Sequence, residues 1–298
     1  MLRKKIKRAA TNNETVSKTS SDPKIKLIKQ SLKSSIQATD ITSPFFEPTQ
    51  FWQKIYDIEC RLSAELKAIS FVSSTISAVY NPIEYASDLH CAYMKKYLNE
   101  SKPVLFIGMN PGPFGMAQTG VPFGHVPSVR DWMKLSGSVK KPDTELAVRP
   151  VNGLLCDKSE QSGQRFWGLM QELCGDADNF FHNCFVYNLC PLAFFHASGK
   201  NITPAEIKPA DKKKLLQQIC SKYLKEAIDV FSPELIISVG RYVEDRINEL
   251  YKSNEIHNRI EHKCIAHPSP RALNNTNWNE KAKQWLVDND VMKYMKTA

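Results

Sequence analysis

Apolar residues fall in four short continuous runs along the chain, without the alternation expected of a strand that has one wet face. Runs of this length bounded by turn residues are typical of strands buried on both sides, as in a parallel sheet covered by helices. The pattern therefore predicts four buried strands, at Val104–Met109, Cys184–Leu189, Leu235–Val239 and Lys263–Ala266.

Other parts of the chain repeat apolar residues at helical spacing. They predict helices from Phe51 to about Ile69, from Pro82 through Met94, and over Gln161–Cys174, Lys208–Phe231 and Arg241–Leu250. Because the strands alternate with helices, we expect an α/β fold in which helices cover a mostly parallel sheet.

Polar side chains stand at or just beyond the ends of three predicted strands. They are Asn110 before Pro111, Asn188 two residues before Cys190-Pro191, and His267 before Pro268. Ligands of parallel α/β sheets bind beyond the carboxyl ends of the strands. A single buried Asn or His mostly satisfies nearby backbone groups, but three at one sheet edge predict a shared crevice.

The loop after the first of these strands is rich in glycine and proline, reading N-P-G-P-F-G-M-A-Q-T-G-V-P-F-G over residues 110–124. Glycine lets backbone approach a ligand closely. Met109, Phe114, Met116 and Phe123 give the loop an apolar lining, so we expect a pocket for a flat, polar, uncharged ring. Pro111 and Pro113 remove backbone donors that a pyrophosphate would need, and no phosphate-binding G-x-x-x-x-G-K-[ST] pattern occurs.

These residue types suit recognition of a base and cleavage of a bond to it. The Asn188 amide offers an acceptor and two donors in one plane, which matches the O4 and N3–H of uracil. Asn110 is no strong base but can hold a water. A neutral His267 can donate to a carbonyl oxygen that gains negative charge, and Phe123 can stack on a ring.

Charge is concentrated at the amino terminus of the 298-residue chain. Residues 1–40 hold ten Lys or Arg and three Asp or Glu, which accounts for +7 of the net charge of +9. We predict a basic disordered tail over residues 1–45, ahead of one catalytic domain over residues 46–298. The tail either attracts phosphates loosely or only solubilises the protein, and its first eight residues resemble a nuclear localisation signal.

The eight cysteines lack C-x-x-C spacing, which favours free thiols in a reducing compartment and argues against a zinc or iron–sulfur site. No apolar run approaches the roughly 20 residues of a membrane span. We therefore predict no metal, no cofactor and no membrane contact.

The three motifs together resemble a known family. G-M-N-P-G-P-F-G-M-A-Q-T-G-V-P-F-G at 108–124, N-L-C-P-L at 188–192 and H-P-S-P-R at 267–271 are similar to those of the single-strand-selective monofunctional uracil-DNA glycosylases, within the uracil-DNA glycosylase superfamily. The likeness covers roughly residues 50–290. It implies a three-layer αβα sandwich around a four-stranded, mostly parallel sheet.

The resemblance also implies a role for each motif residue. Asn110 would position the attacking water, His267 would stabilise the uracil anion, Asn188 would pair with the base and Phe123 would stack on it. Met109 would contribute to the base pocket, and Gly112 and Met116 would line the side facing the 5-position. The space at Gly112 would admit 5-hydroxymethyluracil and related oxidised uracils, whereas thymine would be rejected.

The DNA contacts implied by the resemblance lie around the H-P-S-P-R motif. Arg271 and the segment to Trp278 would fill the gap left by a flipped-out base. Ser269 would also contact DNA. Independently of the resemblance, the charge run Lys140-Lys141 either contacts phosphates or is a solvated face. The reaction would be hydrolysis of the N-glycosidic bond in single- or double-stranded DNA without strand cleavage, by a monomer in the nucleus that starts base-excision repair.

Two other functions remain open from the sequence. A mismatch-specific uracil or thymine glycosylase of the same superfamily would share the G-x-N-P-G motif. A non-catalytic reader of damaged bases would need the pocket, but neither a residue that holds water nor one that stabilises an anion.

Overall fold

The computed structural model describes residues 50–271 and 275–295. The predicted tail over residues 1–45, with its nuclear localisation pattern, therefore lies outside the described residues. Within the described ranges, no helix is both long and apolar enough to cross a membrane, and no group of three or more His, Cys, Asp or Glu side chains is placed to hold a metal ion.

A four-stranded sheet forms the centre of the fold. Its strands are β2 at Val104–Gly108, β3 at Cys184–Asn188, β6 at Leu235–Val239 and β7 at Glu261–Ile265. They lie in the order β3-β2-β6-β7, and every neighbouring pair is parallel. All residues of β2, β3 and β6 are buried, while β7 is a half-exposed edge. The predicted parallel sheet is confirmed, and β7 begins two residues earlier than its apolar pattern indicated.

Helices follow the predicted pattern closely. They are α1 Phe51–Lys67, α2 Pro82–Tyr85, α3 Ser87–Tyr97, α4 Met116–Thr119, α5 Gln161–Cys174, α6 Ala177–Phe181, α7 Ala210–Phe231, α8 Arg241–Lys252 and α9 Trp278–Asp288. The single helix predicted from Pro82 is two helices, because the backbone of Ala86 leaves helical geometry. A Cβ on Gly120 would lie 3.2 Å from Cβ of Ala86, so the loop after α4 packs closely against this break.

Side chains of the sheet show that helices cover both of its faces. The strand register places Phe106 and Phe185 on opposite faces, since successive side chains alternate. The ring of Phe106 packs 5.8 Å from Phe166 of α5, and the ring of Phe185 packs 5.7 Å from Phe231 of α7. This arrangement confirms the expected three-layer αβα sandwich.

A second, antiparallel sheet was not predicted from the sequence. It contains β1 (Ala78–Tyr80), β4 (Ala193–Phe195) and β5 (Asn201–Ile202), in the order β1-β4-β5. Strands of two or three residues are too short to produce a readable pattern. This sheet holds the segment that follows β3 in position, because β4 begins five residues after Asn188.

A buried ion pair joins α1 to α3, and its histidine also contacts the loop that follows α4. The Nε2 of His90 lies 2.7 Å from the Glu59 carboxylate, and its Nδ1 lies 2.7 Å from the carbonyl oxygen of Gly120. Because both neighbours are acceptors, both ring nitrogens donate and the imidazole is cationic. Burial by itself lowers the pKa of His90, but Glu59 and the Gly120 carbonyl overcome it and raise the pKa above its ordinary value.

This pair predicts a pH-dependent contribution to stability. The ordinary pKa of an unfolded His is about 6.5, so a raised folded pKa stabilises the protein fully below that value. The contribution is lost as the pH rises through the folded pKa. Urea unfolding from pH 5 to 9 should show this decline in the wild-type protein and lose it in His90→Gln.

The partner variant Glu59→Gln should lower the free energy of unfolding by about 3 kcal/mol at pH 6, because it leaves a buried imidazolium unpaired. Asp57→Asn, at the exposed Arg61 pair on the same helix, is the matched control and should change stability by less than about 1 kcal/mol. An equal pH profile for wild type and His90→Gln would mean that His90 is neutral.

Candidate active site

A cleft of about 740 Å³ opens beside the carboxyl ends of β2 and β3 and the loop after β7. It brings together most of the residues predicted from the motifs: Met109, Asn110, Gly112, Phe123, Asn188, His267, Ser269 and Arg271. Two predicted residues, Met116 and Lys140, do not line it. The predicted crevice at one sheet edge is therefore present.

Asn110 is held at the start of the loop after β2. Its Nδ2 donates to the carbonyl oxygen of Leu192 at 3.1 Å. Leu192 immediately precedes β4, so the second sheet supplies this contact. With the nitrogen engaged by Leu192, the amide oxygen of Asn110 is the atom available to orient a water.

His267 is fixed in one tautomer by the backbone that follows it. The amide N–H of Ser269 donates to its Nδ1 at 3.1 Å, so the proton of the neutral ring is on Nε2. Burial lowers the pKa of His267 to about 4. At neutral pH the residue is therefore an uncharged ring that can donate one hydrogen bond from Nε2.

Three side chains hold the His267 loop in place. The Nδ2 of Asn275 donates to the carbonyl oxygens of His267 at 2.9 Å and Ser269 at 2.7 Å. Arg165 of α5 donates to the Asn275 carbonyl at 2.9 Å, and Trp278 donates to Ala266 at 2.7 Å. The motif search missed Asn275 and Arg165, because they stand outside the H-P-S-P-R stretch.

These contacts correct the predicted DNA wedge between Arg271 and Trp278. Residues 272–274 lie outside the described residues. Arg271 is exposed beside the cleft, but the Trp278 side chain is only 1% exposed and begins α9. Its indole supports the loop from inside the core, so Trp278 is no part of a surface that could enter DNA.

Asn188 ends β3 with its amide against the loop after β2. Its Nδ2 lies 3.1 Å from the sulfur of Met116, and a Cβ on Gly108 would lie 2.3 Å from its Oδ1. Met116 was predicted to line the 5-position of a base, and this is corrected. Its side chain is 2% exposed and contacts the amide of Asn188 from behind.

Phe123 is held in an unusual backbone conformation for a side chain of its size. Its φ is 55°, in the left-handed region that favours glycine. Its ring stacks on Phe166 at 4.8 Å with an interplanar angle of 16°, and it lies 5.9 Å from the ring of His267. A Cβ on Gly163 would lie 1.9 Å from the Phe123 carbonyl oxygen, so α5 approaches this loop as closely as backbone allows.

The sequence prediction missed Glu160, which enters the cleft just before α5. Its Oε2 accepts a hydrogen bond from the backbone N–H of Phe114 at 3.1 Å. Burial raises the pKa of Glu160, against the opposing effects of Phe114, Arg271 and Arg149. Its place between two serines in S-E-Q-S gave no sign that it would turn inward rather than face solvent.

Glu160 also corrects the picture of Gly112. The glycine was expected to leave empty space beside a base, but a Cβ there would lie 2.5 Å from Oε2 of Glu160. The space made by the missing side chain is thus occupied by a carboxylate.

Basic groups surround Phe114 on the rim of the cleft. The guanidinium of Arg149 lies 4.8 Å from the centre of the Phe114 ring, and the ammonium of Lys158 lies 5.3 Å from it. Lys140, which was predicted to contact DNA, instead lines a separate cavity of about 430 Å³ beside Lys67 and Phe71. Its DNA contact stays a prediction that the cleft does not support.

Comparison with known proteins agrees with this geometry. Residues 95–289 match the family model of the uracil DNA glycosylase superfamily. A single-strand selective monofunctional uracil DNA glycosylase of Bos taurus is 46% identical over 229 residues, covering 76% of this chain and 83% of its own. The enzyme of the same name from Rattus norvegicus is 44% identical over 231 residues, covering 77% of this chain and 82% of its own.

A solved structure supports the fold. The crystal structure of SMUG2 from Pedobacter heparinus superimposes with a TM-score of 0.53, covering 81% of this chain and 99% of that one. At 19% identity the likeness concerns the fold alone. The family match and the two mammalian relatives confirm the resemblance seen in the three motifs: the chain belongs to the uracil-DNA glycosylase superfamily.

Proposed function

We propose that this protein is a monofunctional DNA glycosylase that removes uracil and 5-hydroxymethyluracil, with related 5-oxidised uracils, and leaves an abasic site. The observation that carries the proposal is the convergence of Asn110, Asn188 and a neutral His267 on one cleft beside a stacking ring, Phe123. The names of the mammalian relatives support the removal of uracil from DNA by a monofunctional enzyme.

The cleft is suited to a base that has left the DNA stack. A glycosylase cannot reach the bond to C1′ inside a duplex, so the nucleotide must rotate outward. Phe123 offers one face for stacking, and the Asn188 amide matches the N3–H and O4 edge of uracil. The basic groups Arg149, Lys158 and Arg271 on the rim suit contacts with phosphates.

Bond cleavage would depend mainly on the leaving group. As the N-glycosidic bond breaks, negative charge develops on the O2 of uracil, and Nε2–H of His267 donates to that oxygen. The donor is already oriented by Ser269, so no reorganisation is needed when the charge appears. Asn110 positions the water that attacks C1′ as the bonding electron pair leaves with uracil. Because the amide cannot act as a strong base, the water gives its proton to the uracil anion or to solvent once the new C–O bond forms.

The finer parts of this function are also our proposals. We infer that the protein acts on single- and double-stranded DNA, works as a monomer in the nucleus and initiates base-excision repair. The basic amino-terminal residues and the activity itself support the location.

A substrate panel separates this function from its two rivals. Oligonucleotides with uracil, 5-hydroxymethyluracil, 5-formyluracil or thymine would be offered in single strands and opposite guanine or adenine. A mismatch-specific enzyme would prefer G·T or G·U duplexes to single strands. A reader would bind without releasing free base under substrate excess.

The same panel tests whether the enzyme is monofunctional. Lys200 lies on the cleft, is 64% exposed and pairs loosely with Glu206 at 3.8 Å. We expect no borohydride-trapped adduct and no strand scission, with equal product from wild type and Lys200→Arg. A trapped adduct absent from Lys200→Arg would instead mean that this amine forms a Schiff base.

Loss of either catalytic side chain should abolish most turnover. We expect Asn110→Ala and His267→Leu each to reduce single-turnover excision of uracil about 10²-fold or more, because each removes a preorganised contact to the transition state. Binding of a DNA carrying an uncleavable uracil analogue should change far less. Wild-type rates in either variant would remove that residue from the mechanism.

The His267 ring should stay neutral across the working pH range. Nuclear magnetic resonance of ¹⁵N-histidine protein, assigned by comparison with His267→Leu, should show an imidazole protonated at Nε2 with a midpoint at about 4. Because the neutral donor is the active form, kcat/KM should not fall on the acid side until the pH approaches that value. A midpoint near the ordinary pKa of about 6.5 would contradict the assignment.

A further inference from the structure

Glu160 reaches the cleft through a gap made by two glycines. A Cβ on Gly112 would lie 2.5 Å from Oε2 of Glu160 and 3.2 Å from Oε1, and a Cβ on Gly115 would lie 2.8 Å from its Cγ. Both glycines belong to the loop that follows Asn110. The loop therefore wraps around the carboxylate, and Phe114 between the glycines donates its N–H to it at 3.1 Å.

The positions of the other contacts determine which part of a bound base faces this carboxylate. With O2 on His267 and the N3–H and O4 edge on Asn188, two consecutive parts of the ring are assigned. The next ring atom after C4 is C5, and C6 then leads back to N1 and the sugar near Asn110. In this proposed binding mode, the part of the cleft lined by Gly112, Phe114 and Glu160 is left for C5.

On this basis, and resting on the function proposed above, we propose that Glu160 is a specificity-determining residue that reads the 5-substituent of the base. An ionised carboxylate only accepts hydrogen bonds. A 5-hydroxymethyl group offers it an O–H donor, whereas a 5-methyl group offers none and displaces water from a buried charge. A 5-formyl oxygen is an acceptor, so this carboxylate gives it no hydrogen bond.

The surroundings of Glu160 fit this role. Burial raises the pKa of Glu160, while the Phe114 N–H and the charges of Arg271 and Arg149 oppose that rise and favour the ionised form. A carboxylate held in this way keeps unused acceptor sites, because the backbone N–H groups of Phe114 and Ser162 occupy only two of about four. Leaving such a group without a donor is costly, which is the physical basis for rejecting thymine.

Removing the carboxylate should change substrate choice more than catalysis. In Glu160→Ala we expect the ratio of kcat/KM for 5-hydroxymethyluracil over uracil to fall about tenfold, and the thymine-to-uracil ratio to rise. Each result is a ratio of kcat/KM to that for uracil in the same variant. Unchanged ratios would therefore contradict the role of Glu160 without contradicting the proposed glycosylase activity.

Glu160→Gln tests the acceptor chemistry. Phe114 would retain the amide oxygen, so the NH₂ group would face the base and could donate to a 5-formyl oxygen. We expect the 5-formyluracil-to-uracil ratio to rise while 5-hydroxymethyluracil is retained, because a hydroxyl can also accept. The control is Glu206→Gln, a second carboxylate on the cleft that bonds to Thr203 instead, and it should leave all ratios unchanged.

Gly112→Ala is an independent way to displace the Glu160 carboxylate. Its Cβ would push the Glu160 side chain away and should reproduce the ratios of Glu160→Ala. In the Glu160→Ala background, Gly112→Ala should add little, because the atoms that it meets are gone. Equal losses on all bases in Glu160→Ala, or additive effects in the double variant, would overturn the proposal and make Glu160 a support for the loop.

Discussion

Burial of β2 on both faces is the constraint on which the site depends. A strand flanked by β3 and β6 and covered by helices must leave the sheet at the middle of its carboxyl edge. The loop that begins at Asn110 therefore starts beside Asn188, the last residue of the neighbouring strand. His267 comes to the same edge because β7 also runs parallel. The three candidate catalytic side chains are close in space because parallel strands all end at the same edge of the sheet.

Much of this could be predicted from the sequence, for a physical reason. Strands buried on both faces leave uninterrupted apolar runs in the sequence, and parallel strands place their carboxyl ends at one edge. Asn110, Asn188 and His267 could therefore be assigned to one crevice from the sequence alone. Glu160 could not, because a glutamate beside serines at a helix start is typical of a solvated surface. Its inward turn depends on glycines some 45 residues earlier, a tertiary contact with no local signature.

Met116 shows the same limit from the other direction. Its motif position indicated contact with a base, whereas the structure places its sulfur behind the Asn188 amide. The apolar residues of such a loop split between those that touch a ligand and those that hold the residues that do. The direction in which the short helix α4 turns after Gly115 decides which of these two roles a residue has, and the chemistry of one residue does not predict that direction.

Phe123 has a consequence for how the protein finds its target. The ring stacks on Phe166, and Gly163 lies against the Phe123 backbone carbonyl, where the backbone has a positive φ of 55°. The surface proposed to receive a base is therefore already assembled, and little order remains to be created on binding. It follows that the cost of capture falls on the nucleic acid. In this proposed mode of binding, capture is easiest for bases that are weakly paired and stacked in their own strand.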